Sequence, residues 1–346
     1  KKCAATSYAT INLNLKKKNG VEHMIKKKKR SPIFFKSITA VAILLGSLTL
    51  NGTSVSAQVA KNSPIDIGQG AKVYNNLSTR FGDEKIKTSL SVSFIDDPHS
   101  NKQIAVITTE GSNIDADRKI SFPEQDSYPG YYRATMHWAS SYRVAMELNG
   151  SGDFFKVAPT NTIDKKTVSS TIGYTIGGTI GSLPNSSNNW STSVSYEQAD
   201  YKTILKTDTN KKVEWTVPFV SAMNQGWGPY DRDSFTVNYG NELFSKSRNG
   251  QVWAKDNFLS SDQMPALAAY SFSPAVVAVV IADKTDSLSE LTVHLGRTQD
   301  SYKLQWHNEL FGLGFWVGSN EKDTSQATFT TKYILDWKNH KLVEKN

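Results

Sequence analysis

Apolar and polar positions alternate most regularly over Val168–Tyr196, VSSTIGYTIGGTIGSLPNSSNNWSTSVSY. In the first arm the even positions are Val168, Ser170, Ile172, Tyr174, Ile176, Gly178 and Ile180. The odd positions are Ser169, Thr171, Gly173, Thr175, Gly177, Thr179 and Gly181. The second arm sets Trp190, Thr192, Val194 and Tyr196 against Ser191, Ser193 and Ser195. A period of two is a strand signal, because successive side chains leave opposite faces. Leu183–Asn188, LPNSSN, is a turn-forming cluster. The pattern predicts a long β-hairpin with one apolar face and one face of hydroxyls and glycine. A soluble hairpin ordinarily carries Lys, Glu or Arg on its wet side. A charge-free hydroxyl face suits a strand between lipid and a water-filled lumen. The two open edges are prohibitive in lipid, so one copy does not cross alone, whereas a ring of copies closes. The alternative from pattern alone is an amphipathic hairpin covering a soluble core.

The rest of the chain alternates in shorter runs. Strands are predicted at Lys85–Asp96, Lys102–Thr109, Tyr142–Leu148, Asp153–Ala158 and Lys211–Phe219, and again at Glu290–Leu295, Tyr302–Trp306 and Thr328–Trp337. Pro274–Ala282, PAVVAVVIA, is a continuous apolar run of fully buried strand length. No stretch shows a sustained helical period with caps. The fold class is all-β, with a sandwich at its centre. Asn224–Asp262 breaks the alternation, and Trp227, Tyr230, Phe235, Tyr239 and Trp253 crowd into it. Loop aromatics usually plug a core. The functional alternative is an interfacial surface, where Trp and Tyr sit at headgroup level and an Arg beside them meets a phosphate.

Charge changes the picture only at one end. Of 40 Lys and Arg, eleven lie in residues 1–57, against one of 32 Asp and Glu, so the remainder holds 29 basic and 31 acidic residues, a net of −2. The basic balance therefore belongs to the leader and gives no support for nucleic-acid binding. Ile25–Arg30 is a positive n-region, Ile38–Leu50 an apolar run too short for a comfortable span, and Val55-Ser56-Ala57 a small-residue cleavage site. This reads as a signal peptide with Met24 as initiator and Gln58 as the mature start. The single cysteine is Cys3, so a secreted mature chain relies on its core, not on disulfides.

No catalytic constellation emerges. His99, His137, His294, His307 and His340 are scattered, without HExxH spacing. Gly173, Gly177, Gly178 and Gly181 lie in a strand pattern with no helix following, unlike a phosphate loop. Asp96 with Asp97, and Asp231 with Asp233, are cation candidates whose ordinary state is solvated. The reading is a non-enzyme with no metal and no cofactor.

Several motifs in order then carry a resemblance. SFIDDP (Ser93–Pro98), TVSSTIGYTIGG (Thr167–Gly178), YEQADYKTIL (Tyr196–Leu205), NQGWGPYDRDSF (Asn224–Phe235), YGNELF (Tyr239–Phe244), FSP (Phe272–Pro274) and LDWKNHKLVEKN (Leu335–Asn346) resemble the alpha-haemolysin/leucocidin family of β-barrel pore-forming toxins. NKQIAVI, KVAPTN and AVVAVVI are most similar to its cytotoxin K branch, the aromatic segment to alpha-haemolysin and the leucocidin F component. The likeness spans the mature chain. It implies a secreted monomer with a cap sandwich, a rim and a folded-back stem, which binds cell membranes, closes into a ring (commonly seven) and inserts one shared barrel.

On that resemblance the chain divides into a leader (1–57), a latch arm (58–76), the first part of the cap (77–161), the stem (162–205), a cap strand (206–223), the rim (224–264) and a second cap and rim part (265–346). Trp227, Tyr230 and Arg248 fall on a phosphocholine pocket. Ile172, Tyr174, Ile176, Ile180, Trp190 and Val194 face lipid, and Thr171, Thr175, Thr179, Ser191, Ser193 and Ser195 face the lumen. Lys165 and Glu197 would stand at the mouth, implying weak ion selectivity. Two departures stand out: a shorter stem tip, and Lys87 near the place of an assembly histidine. The partners implied are the host membrane, further copies of the chain and a receptor the sequence does not name. The rivals are a bicomponent leucocidin needing a partner chain, and a secreted β-sandwich module that binds lipid or glycan without making a pore.

Overall fold

The computed structural model describes residues 63–181, 188–250, 252–309 and 314–345. The leader, the cleavage site and most of the LPNSSN turn lie outside the described residues. Two large antiparallel sheets make the body. One runs in the order Ile65–Gly68, Ala71–Gly82, Ile86–Asp96, Lys102–Thr108, Val277–Asp283, Asp153–Ala158, with Asn113–Asp115 and Ser271–Phe272 added at its side. The other runs Ile204–Asp208, Lys212–Pro218, Arg133–Gly150, Leu288–Asn308, Gly314–Asp336, Lys341–Lys345, with Lys119–Ser121 beside Arg133–Gly150. Their inner faces share one core, in which Phe94 meets Trp337 edge-on at 5.6 Å and Trp215 donates its indole N–H to the Pro159 carbonyl at 2.8 Å. The expected all-β sandwich is therefore the observed one. Among the described residues the only helical turns are Ala254–Asp256 and Ala266–Ala269.

The apolar run near residue 280 is a central strand, as its composition requires. Val277, Ala278, Val279 and Val280 are fully buried between Lys102–Thr108 and Asp153–Ala158. One expectation needs correction. Glu290–Leu295 and Tyr302–Trp306 are one strand, Leu288–Asn308, paired along its length with Gly314–Asp336 and bulged between Gln299 and Ser301. The polar stretch between them had looked like a break. Instead Arg297, Gln299 and Asp300 are buried and held by protein partners, with the Arg297 Nε alone among their side-chain polar atoms left without one among the described residues. The arm expected over 58–76 is likewise sheet where it is described. Ala71 and Val73 are fully buried, and Asn76 accepts the Leu342 N–H and donates to the His340 carbonyl.

Asp300 fastens the rim to this framework. Its carboxylate takes both prongs of Arg232 at 2.7 Å, the Asn320 amide at 2.6 Å and the Asp323 N–H at 3.0 Å. Burial alone pushes its carboxyl up, but those donors hold it below the ordinary carboxylate range. Removing one partner of a buried pair leaves an uncompensated charge and costs about 3–5 kcal/mol. Asp300→Ala is expected to lower the urea midpoint by that amount of stability, with the loss largely recovered when Arg232→Met is added. No recovery in the double variant would place the loss elsewhere.

Candidate functional site

The predicted hairpin exists, but it is bent and packed down. Thr167–Thr175 pairs with Trp190–Glu197 in the register Trp190 opposite Tyr174, Thr192 opposite Ile172 and Val194 opposite Ser170. The first arm does not run on to Ile180. Thr179–Gly181 turns back to pair with Gly173–Thr175, giving a three-stranded sheet. Gly177 and Gly178 make the reversal at φ +96° and +94°. That region is strained for any residue with a Cβ, so the pair allows a bend where alternation predicted continuous strand.

The faces divide as the period implies. Val168, Ile172, Tyr174, Val194 and Tyr196 are buried, Ile176, Ile180 and Trp190 are partly covered, and Ser191, Ser193 and Ser195 are exposed. Of the other residues expected on the polar face, Thr171 and Thr175 are half-buried and Thr179 is exposed. Thr171 and Ser193 share a hydrogen bond of 2.8 Å. Each large apolar side chain hidden here contributes about 1.5–3 kcal/mol. The row assigned to lipid is thus the row that faces the cap in this state.

One carboxylate locks the bend. Asp97 is fully buried and accepts the Tyr174 hydroxyl at 2.5 Å and the Gly177 N–H at 2.7 Å, with its other oxygen on the His99 N–H at 2.8 Å. Lys284 donates to the Asp97 carbonyl at 3.2 Å. Asn189 completes the lock: its side chain accepts the Ile176 N–H and reaches the Ile67 carbonyl. Gly68 lies beside Ile176, so the first strand edges the bend. The sequence expected Asp96 and Asp97 as a solvated pair. Asp97 is instead the most committed side chain of the stem contact, and only its place in SFIDDP marked it. At the base, Gln198 donates to the carbonyls of Ile163 and Lys165, and Tyr196 shares a hydrogen bond with Thr203. The 162–205 segment passes into the second sheet at Ile204, and Ala222–Asn224, at the end of the 206–223 strand segment, already pairs with Trp227–Tyr230.

The aromatic segment gathers around a separate cavity. Trp227, Tyr230 and Arg248 line one cavity of about 370 Å³ together with Asn224 and Glu242. The Arg248 guanidinium lies 4.6 Å from the Tyr239 ring and 5.6 Å from that of Trp227. Sequence reasoning did not single out Glu242. It is buried and takes Arg248 bidentately, at 2.6 and 3.0 Å, with Tyr230 at 3.4 Å. Two of the five guanidinium donors are therefore occupied. Burial raises the Glu242 carboxyl, but Arg248 outweighs it and holds the group ionised below its usual range. A second aromatic set, Tyr131, Tyr132, Trp306 and Trp316, converges beside this cavity from residues far apart in the chain. Asp231, the other cation candidate, accepts from Ser234 and the Asp233 N–H, and no metal-ligating cluster occurs among the described residues.

The sequence profile of the Leukocidin/Hemolysin toxin family matches residues 88–339. Gamma-hemolysin component B of Staphylococcus aureus (strain MRSA252) is 32% identical over 316 residues, 88% of this chain and 93% of that protein. The fold is similar to Clostridium perfringens delta-toxin, at a TM-score of 0.72 and 28% identity over 84% of this chain and all of that one. It is also similar to the Clostridium perfringens NetB toxin in its membrane inserted form, at a TM-score of 0.61 and 27% identity, over 80% of this chain and all of that one.

Asp97 sets a pH limit on stem docking. Burial opposes its charge, yet the hydrogen bonds from Tyr174, Gly177 and His99 hold its carboxyl below the ordinary value. A lowered pKa gives stability that is fully present above the undocked value, roughly 3.9, and is lost as pH falls through the docked one. Protection factors over 168–196, taken against the intrinsic exchange rate at each pH, should therefore be high at pH 7 and fall below about pH 4. Asp97→Asn should show low protection there at both pH values while the cap strands keep theirs. Equal stem protection in the two proteins would sink this role for Asp97.

Proposed function

The chain belongs to the Leukocidin/Hemolysin toxin family, and on that premise we propose that it is a secreted cytolysin whose rim binds cell membranes and whose stems join those of neighbouring copies in one transmembrane β-barrel. The observation that carries this reading is the stem: an alternating sheet, without charge from Val168 to Thr175 and from Trp190 to Tyr196, whose apolar row is hidden against the cap and whose polar row over those residues holds only hydroxyls and glycine. A soluble binding module has no use for that combination. Thr167–Ile180 straightens to a length beyond the 9–11 residues that a tilted barrel strand needs.

In the barrel, Ile172, Tyr174, Ile176, Ile180, Trp190 and Val194 face lipid. Thr171, Thr175, Thr179, Ser191, Ser193 and Ser195 face water. The ring is a heptamer of one chain type. Membrane contact begins at the rim, with Trp227 and Tyr230 at headgroup level and a phosphocholine held between Trp227 and Arg248. Glu242 fixes the guanidinium and offsets its charge, so that pocket suits a zwitterion better than a bare anion. One shallow anchor is weak, and the copies of a ring add avidity. The name of the related component B favours a second reading, in which a partner chain is required. Dye release from vesicles by the purified mature chain alone decides between the two. An SDS-resistant ring with leakage supports the self-sufficient toxin, and neither supports the partnered one.

Ile176 tests the register. It is only partly covered in the soluble form, so Ile176→Arg should fold and still bind vesicles. In the barrel the charge costs about 2–4 kcal/mol per chain near the midplane, and leakage should be abolished. Undiminished leakage would reverse the assigned faces. The rim is tested separately: Trp227→Ala should weaken binding to phosphatidylcholine vesicles by about 5- to 30-fold, and unchanged binding would remove the headgroup pocket.

A further inference from the structure

A second aromatic set lies beside the rim cavity. Tyr131, Tyr132, Trp306 and Trp316 line a pocket of about 120 Å³. Their rings meet at steep angles, 84° for Tyr131 on Tyr132 at 4.5 Å and 64° for Trp306 on Trp316 at 5.0 Å. Backbone bonds fix them in place. Trp306 and Trp316 are cross-strand partners, the Trp306 N–H donates to the Tyr132 carbonyl at 2.8 Å, and the Ala254 N–H donates to the Tyr131 carbonyl at 2.8 Å. The cage is thus built by three separate chain segments before any ligand arrives.

Its polar groups narrow the ligand further. The Trp306 indole N–H is spent on the Asn308 side-chain oxygen at 2.6 Å, and that of Trp316 on the Gly250 carbonyl at 3.3 Å. Among the described lining residues there is no Lys, Arg, Asp or Glu. A sugar would find both indole donors used and only the Tyr131 and Tyr132 hydroxyls and the Asn308 amide to meet it. A primary ammonium would exchange its water for neutral oxygens with no carboxylate among the described lining. A cation that needs no hydrogen bonds loses none on entry and is attracted by the ring faces.

We propose that this pocket is a second headgroup site, a cage for a quaternary ammonium such as choline. The site extends the rim reading above but does not depend on the Trp227 pocket. The two cavities share a wall. Ser247, Arg248 and Asn249 border the first, and Gly250 and Val252 the second, while the Trp316 N–H holds the Arg248 carbonyl at 2.7 Å. Two lipids can therefore sit side by side under one protomer, one held through phosphate and choline and one through choline alone.

The test uses the mature chain carrying Trp227→Ala, which silences the first pocket. Tetramethylammonium chloride is titrated against indole fluorescence, with ammonium chloride at equal ionic strength as reference. A saturable response to tetramethylammonium alone is expected. Adding Trp306→Leu, or in a separate protein Tyr132→Ala, should raise its Kd by about 2- to 30-fold. No saturable response, an equal response to ammonium, tighter binding of methyl galactoside, or no effect of either variant would overturn the cage. Vesicles then identify the source. If Trp306→Leu in the otherwise unaltered chain abolishes a preference for phosphatidylcholine over phosphatidylethanolamine, the occupant is lipid. A preference that survives, with tetramethylammonium binding lost, supports the same cage with free choline as its ligand. Failure of phosphocholine at Trp227 alone would refute the first pocket and leave this one standing.

Discussion

One row of side chains, Val168, Ile172, Tyr174, Val194 and Tyr196, must never meet water. A strand with hydroxyls on one face and this row on the other is insoluble wherever the row is bare. The soluble chain covers it with the cap, and in the pore we propose lipid covers it instead. The hydroxyls of the polar face are exposed or half-buried here and would line water in the proposed pore, which explains its composition. Serine, threonine and glycine satisfy themselves in water or across the pair, as Thr171 and Ser193 do. They do not add charges that a lumen wall or a docked sheet would have to neutralise. Everything else in the structure either holds that row in its first cover or brings the chain to a surface where the second is available.

The same economy governs the charges at the rim. Arg232 and Arg248 come from one segment, yet their partners differ. Asp300 is fully buried and sits in the long central hairpin, so its pair with Arg232 anchors the segment to the sheet. Glu242 lies six residues from Arg248 and fixes its guanidinium against Tyr239 and Trp227 at the surface. A half-exposed arginine so held loses little entropy on meeting a headgroup and carries a field already moderated by its carboxylate. The first pair makes the rim rigid with the cap. The second holds the guanidinium that the proposed headgroup pocket uses.

Period-two alternation was enough to read the stem, the buried run at Val277–Val280 and the all-β class, because those faces obey burial alone. It failed where burial is polar. Arg297, Gln299 and Asp300 fall outside the predicted strands because their burial depends on partners from other segments, among them Glu84, Ala116, Asp117 and Arg232. Asp97 looked solvated for the same reason. The rim was half legible: Trp227, Tyr230 and Arg248 lie close in sequence and meet in space, whereas Tyr131, Tyr132, Trp306 and Trp316 come together only through the sheet. The bend at Gly177–Gly178 was illegible in principle, since glycine is as compatible with an extended strand as with a left-handed turn.

That ambiguity is what lets one sequence hold two packings. A residue with a Cβ at 177 or 178 would favour the straight arm and weaken the bent one, and the row would lose its first cover before a membrane was near. With glycine the preference is left to Asp97, whose hydrogen bonds tie the hydroxyl of Tyr174 and the backbone of Gly177 together at the bend. Such bonds to a charged acceptor contribute about 1.5–3 kcal/mol each, small beside what a stem gains when both of its open edges pair with neighbours. A lone chain has no neighbour edge to offer, so the bond to Asp97 prevails. In the ring we propose each stem finds two, and edge pairing offsets the loss of the bent packing. The proposed switch therefore responds to assembly, which must break the hydrogen bonds to Asp97 and lift the apolar row off the cap.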